Sequence, residues 1–93
     1  MYFVTSYDDK DCCRQTWGFF EEKETAVQAA HENWGDMHET VYPFVVVEQV
    51  LPGLYPHAEE RMWFAWVEEK EGFYETETPE FTERFSPYPI AFF

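Results

Sequence analysis

The residue types that most often carry chemistry are sparse in this chain and badly spaced for it. Cys12 and Cys13 are adjacent. A nucleophilic thiolate needs nearby positive charge, and Lys10 and Arg14 are opposed by Asp8, Asp9 and Asp11. Adjacent cysteines rarely bridge each other, so two reduced, inert thiols near a turn are expected. Ser6 and Ser86 are the only serines, and neither sits in a nucleophile-elbow context. His31, His38 and His57 lie far apart in sequence and share no zinc-ligand spacing with the cysteines. Glu48 could pair with another carboxylate for acid–base work. With 19 Asp and Glu in 93 residues, however, close acidic pairs arise by chance. There is no glycine-rich phosphate loop and no catalytic motif. The expectation is a protein with no catalytic residues, no metal and no cofactor.

What the chain does concentrate is negative charge beside aromatic rings. Glu68, Glu69, Glu71, Glu75, Glu77, Glu80 and Glu83 place seven carboxylates in sixteen residues, against Lys70 alone. On a strand, Glu75 and Glu77 would point the same way, about 6.7 Å apart. A row of carboxylates at that scale can imitate a phosphate backbone before a basic groove. Trp63, Trp66 and Tyr74 would supply anchors. The expected partner-binding set is therefore Glu68, Glu69, Glu71, Glu75, Glu77, Trp63, Trp66 and Tyr74. The plainer reading is a solvated hairpin edge whose charges block edge-to-edge aggregation. A further option is a ring cluster of Trp17, Tyr55, Trp63, Phe64, Trp66 and Tyr74 that stacks a planar ligand.

A net charge of −13 argues against nucleic acid or an anionic membrane as direct partner and favours a basic protein. It also keeps an aromatic-rich chain soluble. Ten Phe, six Tyr and four Trp are more rings than one small core holds, so some should be exposed. The first residues lack the basic and apolar regions of a leader, no stretch reaches transmembrane length, and the cysteine usage fits a cytoplasmic location.

These residues must be positioned by a small set of elements, in one domain. Residues 44–50 contain the densest β-branched run and predict the central strand. Glu48 within it needs a solvated strand end or a partner. Residues 2–7 and 14–20 predict a hairpin, with Trp17 and Phe19 on one face and a bulge or close approach at Gly18. Residues 21–33 predict the one helix, with an apolar stripe of Ala26, Val27, Ala30 and Trp34, acidic residues in its first turn and Gly35 as its stop. Residues 36–43 connect it to the central strand, and Leu51-Pro52-Gly53 predicts a turn after that strand. Residues 56–61 read as a polar loop. Residues 62–67 predict a strand apolar on both faces. A turn closed by Gly72 leads to a last strand over 73–78. The tail, 79–93, is barred from a central strand by its prolines, and its aromatics predict docking on the body. The order β-β-α-β-β-β predicts an α+β fold: a mostly antiparallel five-stranded sheet with one helix on one face.

The succession Trp17-Gly18-Phe19-Phe20, Asn33-Trp34-Gly35-Asp36, Val46-Val47-Glu48, Pro52-Gly53-Leu54-Tyr55-Pro56, Trp63-Phe64 and Tyr74-Glu75 resembles a group of small acidic proteins from phages and mobile elements of gut Firmicutes. Such proteins sit among anti-defence genes and are similar in type to anti-CRISPR inhibitors. The resemblance implies a short, non-catalytic anti-defence protein of the bacterial cytoplasm that binds a CRISPR effector nuclease. It assigns no residue roles. Two other readings stand beside it. One is sequestration of a nucleotide signal, for which Arg14 and Arg61 are the basic candidates. The other is an oligomeric interaction module, with the doubly apolar strand as a homodimer interface.

Overall fold

A computed structural model of the chain describes residues 1–10, 13–35, 43–52, 57–85 and 88–92. Its strands are β1 (Tyr2–Asp8), β2 (Cys13–Phe20), β3 (Phe44–Val50), β4 (Ala58–Val67) and β5 (Gly72–Thr76), and its helix is α1 (Lys23–His31). The sheet order is β2-β1-β3-β4-β5, and every neighbouring pair is antiparallel. The architecture is α+β, with β3 in the centre of the sheet.

Both faces of this sheet are covered. On one face α1 lays Ala26 and Ala30 against Val4, Val45, Val47, Phe64 and Phe73. The small alanines bring the helix backbone close to the strands. On the other face Tyr7, Val46 and Trp63 pack with Ile90, and Phe44, Phe81 and Phe85 close around them. Phe81 and Phe85 come from a 3-10 helix over Glu80–Phe85, and Ile90 opens a second one over Ile90–Phe92. Two thin cores, one on each side of the sheet, hold far more aromatic rings than a sheet covered on one side could. They also explain the doubly apolar pattern of β4. Its Met62, Phe64 and Trp66 serve the helix-side core, and Trp63 the opposite one, so the pattern is satisfied within one chain.

Several boundaries differ from expectation for identifiable reasons. The helix is shorter at both ends. Glu22 stands at its N-cap without a side-chain capping bond, so of the three early glutamates only Glu24 lies in the first turn. Asn33, at φ 54°, takes the left-handed conformation that ends the helix before Gly35 is reached. Ala29 takes the buried place foreseen for Trp34, which lies beyond the helix, 42% exposed, against the edge of the Phe20 ring.

In β2 the register slips where Val4 faces Gly18 and Thr5 faces Thr16, leaving Trp17 as the extra residue of a bulge. The bulge re-phases the strand. Trp17 joins Phe20 on the helix side, while Phe19 leaves that set and contacts Phe3.

The segment 58–61, foreseen as loop, is the first part of β4. Glu60 pairs with Gln49 and Arg61 with Glu48. Strand pairing has overridden the poor β-propensity of these charged residues. The last strand ends at Thr76, so Glu77 lies beyond it. Gly53, Pro56 and the residues between them, like Cys12, His38 and Tyr55, lie outside the described residues, as does most of the 36–43 connector.

The β4–β5 connection is a 3-10 turn, Glu68–Lys70, followed by Glu71 at φ 51°. The left-handed residue is thus Glu71 and not the neighbouring glycine. Gly72 is needed for a different reason. A Cβ there would lie 3.3 Å from the His31 carbonyl and from the Tyr74 ring, so the glycine lets the end of α1 rest on the hairpin. Glu71→Gly relieves the left-handed side chain and is expected to raise stability by about 0.5–1 kcal/mol in urea unfolding. A loss of stability would show that Glu71 contributes more through contacts than its backbone costs.

Candidate functional site

The register sets which charges meet. Tyr7 faces Phe44 across β1–β3, and Phe44 faces Ala65 across β3–β4. The β1–β2 turn and the β4–β5 connection therefore project from the same end of the sheet. Asp8 and Asp9 belong to the first, and Glu68, Glu69 and Glu71 to the second. Asp9 and the three glutamates are exposed, and Asp8 is half-buried. Lys10 and Lys70 are the basic residues on these two connections. A cleft of about 390 Å³ lined by Asp8, Asp9, Lys10, Pro43 and Phe44 opens at this end.

Behind the glutamates stand two half-buried rings. Trp66 packs on Phe73 and donates its Nε1 hydrogen to Glu68 Oε2 at 2.7 Å. Tyr74 lies edge-on to His31, and the Lys70 ammonium sits 4.7 Å from its ring centroid. His31, from the last turn of α1, donates from Nδ1 to the Phe73 carbonyl at 2.9 Å. That bond fixes the corner where helix, hairpin tip and Tyr74 meet. Glu32 adds another exposed carboxylate there. Hydrogen bonds from Gln28 and then from Trp34 hold it below the ordinary glutamate range.

Of the residues foreseen as a partner-binding set, Glu68, Glu69, Glu71, Trp66 and Tyr74 are brought together at this corner. Glu75 is exposed further along β5, and Glu77 is exposed past its end, so the two do not form a row on one strand. Trp63 requires a correction. It is 1% exposed and enclosed by Tyr7, Phe44 and Phe81, so it is a core residue with no ring to offer a partner. The stacking platform is also absent among the described residues. Trp63 and Phe64 are neighbours in sequence, and alternation sends them to cores on opposite faces.

Acidic charge is not confined to the corner. Glu21, Glu22, Glu59 and Glu60 lie at the other end of the sheet, where Glu60 pairs with Lys23. That hydrogen bond raises the Lys23 ammonium above its ordinary value.

The residue that sequence reasoning left without a partner has several. Glu48 is completely buried on the tail side of the sheet. Its carboxylate accepts from Arg61 Nε at 2.8 Å, from the Ile90 amide at 2.8 and 3.0 Å, and from the Ala91 amide at 3.0 Å. Arg61 also donates through Nη2 to the Tyr88 carbonyl, and the Thr16 hydroxyl donates to the Ala91 carbonyl. Glu48 thus clamps the tail to the sheet, and its donors are bonds of structure. Only the oddity of a lone glutamate in a valine run hinted at it. Nothing local could show that two of its donors, the Ile90 and Ala91 amides, lie some 40 residues further on.

Among the described residues, no three His, Cys, Asp or Glu side chains converge to hold a metal ion. No described helix is long and apolar enough to cross a membrane. No protein-family model, curated protein or solved structure matches the chain.

Proposed function

We propose that this protein is a non-catalytic inhibitor that docks its acidic corner against a basic, nucleic-acid-binding surface of another protein. The observation that carries the reading is the gathering of exposed Glu68, Glu69 and Glu71 in front of Trp66 and Tyr74. Charge of this kind speeds encounter with a positive cleft and falls off with salt, while half-buried rings slow departure. The corner is tied to the end of α1 through His31 and to the sheet through Phe73. A pre-ordered patch loses little freedom on binding.

The partner we favour is a CRISPR effector nuclease in the cytoplasm of a bacterial host, the setting implied by the resemblance to anti-defence proteins of phages and mobile elements. The test is a DNA-cleavage assay on a panel of purified single-chain RNA-guided nucleases, each titrated with the protein. The expected result is stoichiometric inhibition of at least one of them that weakens as salt is raised. Full cleavage by the whole panel at low salt, with protein in excess, would sink the CRISPR assignment.

A further inference from the structure

The chain has three arginines, Arg14, Arg61 and Arg84, and strand register and tail packing bring all three to the face of the sheet away from α1. Arg61 is committed to Glu48. Arg14 and Arg84 both approach one aromatic residue. Their Cζ atoms are 5.4 and 5.8 Å from the centroid of the same Phe85 ring. Together with Phe85 and Tyr88 they line a pocket of about 220 Å³. Arg84 is oriented by a long Nη2 hydrogen bond of 3.4 Å to the Tyr7 hydroxyl. Arg14 carries a buried Nη1 that makes no hydrogen bond among the described residues. A buried guanidinium donor left unmatched is costly.

We propose that this pocket binds a phosphomonoester carried on a small planar or apolar group. Two guanidinium forks suit the several oxygens of a phosphate better than a single carboxylate. Phe85 and the 47%-exposed Tyr88 supply the apolar wall for the group that bears it. The volume lies below the roughly 300–1,000 Å³ of pockets that enclose drug-sized ligands, so it admits a phosphate and one ring. The overall charge of −13 works against any anion, but at physiological ionic strength its distant part is screened beyond about 8 Å. The local arginines therefore decide. This site is separate from the acidic corner, and its failure would leave that reading untouched.

The experiment is calorimetric titration of the full chain with phenyl phosphate, inorganic phosphate and phenol at moderate salt. Phenyl phosphate is expected to bind one site, more tightly than inorganic phosphate, and phenol not to bind. Arg14→Gln is expected to weaken phenyl phosphate about tenfold or more, and Arg14→Lys, which keeps charge but loses the fork, by a smaller factor. Lys10→Gln, a charge loss elsewhere, is expected to leave binding unchanged. Circular dichroism of each variant checks its fold, and the Arg14→Lys comparison carries the test if Arg14→Gln does not fold. The proposal is overturned by no saturable binding up to about 10 mM. It is also overturned if the Arg14 and Lys10 substitutions weaken binding equally, which would reveal a diffuse charge effect.

Discussion

Replacing Glu48 with alanine is expected to remove about 3–5 kcal/mol of folding stability, a large share of what a domain of this size possesses. The carboxylate is fully buried and satisfies one guanidinium donor and two backbone amides. Alanine would leave all three without an acceptor, two of them on the turn that fastens the tail. A buried donor without a partner costs its full desolvation penalty, and an orphaned charge costs more. Glu48→Gln keeps the size and one acceptor oxygen but turns an amide toward donors, so a loss of about 2 kcal/mol is expected. Adding Arg61→Met to Glu48→Ala should recover part of the loss by removing the stranded charge, but not the part due to the amides. Urea unfolding measures the stabilities. Hydrogen exchange should show the Ile90 and Ala91 amides losing protection first. A Glu48→Ala protein within about 1 kcal/mol of the parent would mean that the tail does not depend on this carboxylate.

Trp63→Ala is expected to cost a further large amount, about 3–5 kcal/mol, through the cavity left in the tail-side core. For a chain of this length that corresponds to a fall in Tm on the order of 15 °C or more. The ring bridges sheet and tail, touching Tyr7, Phe44 and Phe81, and its loss would loosen the 3-10 helix over Glu80–Phe85. Trp63 Nε1 is buried and makes no hydrogen bond among the described residues. Trp63→Phe removes that unmatched donor together with some volume, so its cost should stay below about 2 kcal/mol. A surface anchor would behave in the opposite way, with stability unchanged within about 0.5 kcal/mol on truncation.

The contrast between Trp63 and Trp66 shows where sequence reasoning stops. Alternation along Met62–Val67 separates the two sets of side chains correctly but cannot say which face is covered, and here both are. The tail that covers the second face joins the sheet through Glu48, a long-range contact with no local signature. By comparison β3 was legible because Val45, Val46 and Val47 suit only a buried strand. The antiparallel five-stranded sheet with one helix followed from the order of the elements. The start of β4 was hidden by its charged residues, of which Glu60 and Arg61 pair with β3 and Arg61 bonds to Glu48. The bulge was signalled by Gly18, but its consequence, moving Trp17 and Phe19 to opposite faces, depended on which residue was extra. At the candidate site the glutamates of the hairpin were legible as a charge run. Their meeting with His31 and Glu32 was not, because it required the end of α1 to rest on Gly72. Arg84 was hidden in a tail read for its prolines and rings.

The acidic corner is tested most directly by measuring affinity for an inhibited nuclease with and without its charge. The triple variant Glu68→Lys, Glu69→Lys, Glu71→Lys changes only exposed residues; because it also removes the Glu68 acceptor of Trp66 Nε1, Glu69→Lys, Glu71→Lys is measured beside it, and circular dichroism checks both folds. If the corner is the docking surface, the variant loses affinity by about a hundredfold or more and the salt dependence of the parent's association rate disappears. If the variant binds as tightly as the parent, with the same response to salt, the corner is only a solvated hairpin end and the partner is held elsewhere.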